Sequence, residues 1–160
     1  MDLRGIANAI AVAIHVLAAV VWVGGMFFAY LALRPALDEH SLLARAHLWM
    51  AVFRRFFAWV WASIAVLLVT GFFMIFNAFG GFRQMPMFVN LMMALGILMM
   101  LLFVYVFFLP YPRLRHSVEV NAEPEARGAM RQIRWIILVN LVLGLIVVFV
   151  AASGAFALYD

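Results

Sequence analysis

Cysteine is absent from these 160 residues, so disulfides, thiolate metal sites and thiol redox chemistry are all excluded. Charge is scarce as well. Only 11% of the chain is charged and 69% is hydrophobic, whereas a soluble domain needs roughly a quarter charged residues to cover its surface. Lysine is missing, and all eleven cations are arginine. They crowd at the ends of apolar runs, as membrane-flanking charge does, so the formal net charge of +4 does not describe a nucleic-acid binder. The chain has no glycine-rich phosphate loop, no Ser–His–Asp arrangement and no paired carboxylates at depth. Every acid sits at a terminus or in a connection, which argues against a proton-coupled transporter built on intramembrane carboxylates. The composition is that of an integral membrane protein whose partner is the lipid bilayer.

What is present is four long uncharged runs, at 5–33, 56–82, 84–112 and 135–159. Each exceeds the ~20 residues that cross a ~30 Å hydrocarbon core. The pattern lacks the regular alternation and turn signals of a membrane β-barrel. It predicts an all-α, four-transmembrane-helix bundle in a single domain, with spans near 6–33, 56–78, 87–110 and 135–158. The first run is far longer than the ~7–15 apolar residues of a cleaved signal peptide, so it is expected as a retained helix.

Arginine sets the expected orientation. Nine of the eleven lie in the connections between spans one and two and between spans three and four; Arg4 and Arg83 lie on the other side. The positive-inside rule makes the arginine-rich side cytoplasmic and puts both termini outside. Tyr30, Trp59, Trp61, Tyr111 and Trp135 then fall near the inner boundary, as an aromatic belt would. Pro35 is expected to end the first helix, and Ser41 to cap a second that runs through His47 and Trp49 into the membrane. Acids and a proline at Asn121–Glu125 predict that the fourth helix starts near Pro124, so helices two and four extend into the cytoplasm. Gly80-Gly81 marks a tight outer turn.

His15 is the one ionisable side chain inside an apolar run. Such a group at membrane depth is costly and needs a partner or a task. At helical spacing it shares a face with Asn8, Ala11, Ala18, Ala19, Trp22, Gly25 and Met26. It lies roughly 15 Å in from the outer end at 1.5 Å per residue. On helix three, Met85, Val89, Met92, Gly96, Met99 and Phe103 form one stripe, with Met92 and Met99 bracketing that depth. Imidazole with thioethers at mid-membrane suits soft Cu(I), or haem b with axial histidine and methionine. Plainer roles stand beside these. Methionine fills irregular gaps in apolar packing, His15 can be satisfied by Thr70 or a backbone carbonyl, and the alanine and glycine face can be close helix packing or a homodimer contact. His40, His47 and His116 lie on the cytoplasmic side, solvated or together as a metal site. Arg54-Arg55 is a membrane anchor, or a clamp for haem propionates or lipid head groups.

Ala13-Ile14-His15, Trp22-Val23-Gly24-Gly25-Met26 and Leu33-Arg34-Pro35-Ala36-Leu37 resemble the opening of the CopD family of copper resistance membrane proteins. Arg54-Arg55-Phe56-Phe57, Thr70-Gly71, Ile133-Arg134 and Asn140–Gly144 resemble its short four-helix members. The resemblance implies copper uptake or tolerance across the inner membrane. A more distant likeness is to HemJ, a four-helix membrane protoporphyrinogen oxidase that binds haem b; His15 and Arg54-Arg55 match it. That family's third-helix His and Lys would fall near Phe88 and Asn90, where neither type is present.

The leading expectation is a CopD-like protein holding Cu(I) at His15, Met92 and Met99, with Met85 and Met87 first to meet copper at the outer face. A periplasmic copper carrier or redox partner would deliver it. The second is a haem b redox protein with His15 as axial ligand and Trp22, Arg54, Arg55, Met92 and Met99 around the cofactor. The third is a cofactor-free structural or assembly subunit.

Overall fold

Four helices account for almost every described residue of the computed structural model, which covers residues 3–37 and 41–156, the side chains of 155 and 156 excepted. They are α1 (Leu3–Ala36), α2 (Leu42–Ala78), α3 (Met87–Glu119) and α4 (Glu123–Phe156), and no strand occurs among the described residues. Each is long and apolar enough to cross a membrane. α2, with 37 residues, is about 55 Å long at 1.5 Å per residue, well beyond the hydrocarbon core. His40 and Tyr159 lie outside the described residues, as do both chain ends.

The helix ends follow local chemistry, with three departures from expectation. Pro35 does not stop α1 at once. A π turn over Ala29–Leu33 precedes it, the Arg34 N–H donates to the Ala29 carbonyl, and the helix runs on to Ala36. The missing proline N–H is tolerated because Pro35 opens the last short helical segment. Ser41 stands at the N-cap of α2, yet its hydroxyl makes no capping bond. The third helix also runs further than the expected 87–110. It breaks at Leu109 (φ −113°, ψ −73°) and continues as a second segment, Pro110–Glu119. Pro110 and Pro112 open that segment, where no backbone N–H is required. The outer turn uses the left-handed freedom of Gly80 (φ 71°) and Gly81 (φ 119°).

The bundle is assembled as two close pairs, α1 with α2 and α3 with α4, and α4 also touches α1 and α2. Lipid offers no hydrophobic drive for helix association, so close packing through small residues decides the pairing. Glycines supply the notches. A Cβ at Gly25 would overlap the Phe56 ring, and one at Gly154 would overlap Phe88. At Gly144 a Cβ would stand 2.8 Å from Val23 Cγ2 and 3.2 Å from Met99 Cε.

The buried core lies towards the arginine-rich end. Ala46, Leu114, Ala126 and Ile133 are fully enclosed there, while no residue of α3 before Met99 and no described residue of α4 beyond Gly144 is buried. The other half, which holds His15 and Met92, is packed more thinly.

Candidate functional site

His15 is half-buried on the inner face of α1, between the buried Ala11 and Ala18. Its Nδ1 lies 2.7 Å from the hydroxyl of Thr70 on α2, the only threonine in the chain. The Thr70 hydroxyl donates its single proton to the Val66 carbonyl one turn back, also at 2.7 Å. The imidazole therefore donates from Nδ1 and the hydroxyl accepts. That tautomer leaves the Nε2 lone pair uncommitted, the arrangement by which an outer hydrogen bond fixes a ligating histidine. Gly71 flanks the ring, where a Cβ would stand in ordinary contact, 3.5 Å from His15 Cε1.

The methionines fall at different levels. Met99 is 4% exposed and reaches Gly144 beside Val23. Val23 is eight residues beyond His15, roughly 12 Å further along the helix. Met92, two turns before Met99 on the same stripe, is half-buried. Met85 is half-buried at the start of α3, where its carbonyl accepts from Asn90 Nδ2 at 3.4 Å, and Met87 is 89% exposed. These sulfurs form a descending series, and Met99 is not in one cage with His15.

Beneath that series, towards the arginine-rich end, aromatic rings close the interior. Phe103 meets Trp22 at 6.3 Å, Phe57 at 5.4 Å and Trp61 at 5.3 Å between ring centroids, and Phe57 meets Tyr111 at 5.1 Å. Edge-to-face geometry dominates these contacts, as ring quadrupoles prefer. Trp61 and Tyr111, expected in the boundary belt, join this cluster. Trp59 and Trp135 are each 64% exposed and face outward.

Arg54 and Arg55 are exposed on α2 beside this aromatic level, and Arg34 stacks on Tyr30 at 5.1 Å. His47 and His116 are exposed. Among the described residues no three of His, Asp or Glu gather into a metal site, and His40 lies outside them. Any intramembrane metal would therefore rest on imidazole and thioether. That donor set fits a soft monovalent ion such as Cu(I).

Asn140 on α4 was not singled out as a site residue. It is 4% exposed, and its Nδ2 donates to the Met99 carbonyl at 3.3 Å. A polar residue in the middle of an apolar run is the sequence signal by which it could have been found.

The chain matches the family described as Copper resistance protein D over residues 50–153, which takes in most of α2, all of α3 and nearly all of α4. No curated protein and no solved structure gives a significant match. The matched stretch contains Thr70, the helix-three methionines and Asn140; His15 lies before it.

Proposed function

The chain belongs to the copper resistance protein D family, a multi-pass membrane protein related to copper resistance, and from that premise we propose that it carries copper as Cu(I). His15 Nε2 and the Met92 thioether form the mid-membrane station. Met85 and Met87 receive the ion at the outer face, and Met99 provides a later thioether. Weak successive donors suit conduction, because an ion held in a tight cage does not leave. The protein sits in the bacterial inner membrane with its arginine-rich connections in the cytoplasm and both termini outside, so that a periplasmic copper carrier meets Met85 and Met87.

One observation carries the reading. The Thr70 proton is committed to Val66, so His15 donates from Nδ1 and keeps its Nε2 lone pair free. The test is Cu(I) binding by the purified protein, titrated against a competing chelator. The wild type binds Cu(I), and His15→Ala loses the ion held at mid-membrane while keeping its helical content. Unchanged Cu(I) binding by His15→Ala would overturn the assignment.

A further inference from the structure

The π turn of α1 forms one wall of a small open crevice against α4. Tyr30 and Arg34 come from that turn and from the residue that closes it, Arg134 comes from α4, and Trp49 and Phe53 of α2 also line it. π turns are rare, and those inside α-helices gather at functional sites. Both guanidiniums are held in place. Arg34 lies over the Tyr30 ring, 5.1 Å from its centroid, and Arg134 Nε donates to the Met130 carbonyl one turn back at 3.4 Å. Each arginine is half-buried, so its stem packs along apolar surface while its head keeps further N–H donors for other partners.

The crevice lies at the depth of lipid head groups. Trp135, next to Arg134, is 64% exposed, and an outward-facing indole belongs at the boundary between hydrocarbon and water. Arg34 directly follows the uncharged run 5–33, and Arg134 directly precedes the run 135–159. Both are therefore the last charges before the hydrocarbon. A guanidinium fork takes two phosphate oxygens at once, and basic pockets between membrane helices hold anionic head groups. A lipid fits better than a soluble anion, because its chains also cover Phe27, Phe28 and Leu31, the exposed apolar residues beside Tyr30 on α1.

We infer that Arg34 and Arg134 form a binding site for the phosphate of an anionic phospholipid, seated between α1 and α4 at the arginine-rich end. These helices belong to different close pairs, so the bound lipid clasps the two halves of the bundle there. The site does not depend on copper.

The experiment uses the full chain purified in detergent and supplied with phosphatidylglycerol, with phosphatidylcholine or with inorganic phosphate. Native mass spectrometry counts the lipid retained, and thermal unfolding reads the clasp. The wild type retains phosphatidylglycerol in preference to phosphatidylcholine, and phosphatidylglycerol alone raises its melting temperature. Arg34→Gln and Arg134→Gln each weaken that binding by roughly tenfold or more, as for the loss of charge-assisted hydrogen bonds to phosphate. Arg127→Gln, exposed on α4 and outside the crevice, binds as the wild type does. Arg34→Lys and Arg134→Lys keep the charge and lose the fork, so they bind more weakly than the wild type and decide the matter even if the glutamine variants do not fold. Wild-type binding by both glutamine variants, or by both lysine variants, would overturn the site. Equal retention of phosphatidylcholine, or stabilisation by inorganic phosphate that matches the lipid, would overturn its assignment to an anionic phospholipid.

Discussion

Gly71 lies beneath the imidazole of His15, one residue on from the threonine that fixes the ring: a Cβ added at position 71 would stand 3.5 Å from His15 Cε1. Thr70 holds Nδ1, and Gly71 flanks the ring with room for one further carbon at ordinary contact distance.

Thr70→Val tests the first half of that arrangement. Valine keeps the shape and removes the acceptor, so Nδ1 loses its fixed partner. We expect Cu(I) affinity at the His15 station to fall by roughly 10–100-fold, as for the loss of a hydrogen bond behind a metal ligand. Competition titration of the purified variant measures it, and affinity equal to the wild type would mean that the hydroxyl does not set the ligand.

Substitution at Gly71 tests the second half. Alanine would meet the ring at an ordinary contact distance, so Gly71→Ala should bind Cu(I) within about twofold of the wild type. A leucine extends beyond that contact towards the imidazole, and Gly71→Leu should weaken Cu(I) binding at His15 while keeping helical circular dichroism. Equal binding by both variants would show that the ring does not depend on this space.

Gly144 is expected to be sensitive to substitution. Its notch meets Val23, whose branched side chain is stiff, at 2.8 Å and Met99 at 3.2 Å. Gly144→Ala must part α1 from α4, and overpacking of this kind costs about 1–3 kcal/mol. At Gly96 a Cβ would meet nothing within 4 Å, so Gly96→Ala should be neutral or slightly stabilising, as alanine is the better helix former. Thermal unfolding in detergent distinguishes the two; equal melting temperatures would contradict the packing at Gly144.

Orientation can be measured independently of copper. With nine arginines in two connections and two on the other side, a phosphatase fused after residue 160 should be active in the periplasm. The same enzyme inserted between α1 and α2 should be inactive. The reverse pattern would turn the bundle over and move Met85 and Met87 to the cytoplasm.

Much of the bundle is legible from residue order. Spans are local sums of hydropathy, so four uncharged runs of sufficient length mark four membrane-crossing helices wherever their neighbours lie. Thr70 stood out in the same way as a partner for His15, because polar groups are so few at that depth. The break at Leu109 was less visible. Pro110 and Pro112 punctuate a helix equally when they end it and when they open its next segment, and only packing of Leu114 and Val118 against α4 keeps the chain helical beyond them.

Which side chains meet across the bundle was decided by tertiary structure alone. The stripe from Met85 to Phe103 gives the face of α3, but spacing within one helix carries no information about its register against another. That register is set where notches such as Gly144 and Gly154 receive Val23, Met99 and Phe88. It brings Met99 beside Val23 instead of His15 and leaves the Asn140 oxygen unpaired above a ring of aromatics. Sequence determined how many helices cross and which polar groups lie among them, because those are properties of each segment. Their mutual depth follows from steric fit between segments, and no segment holds that by itself.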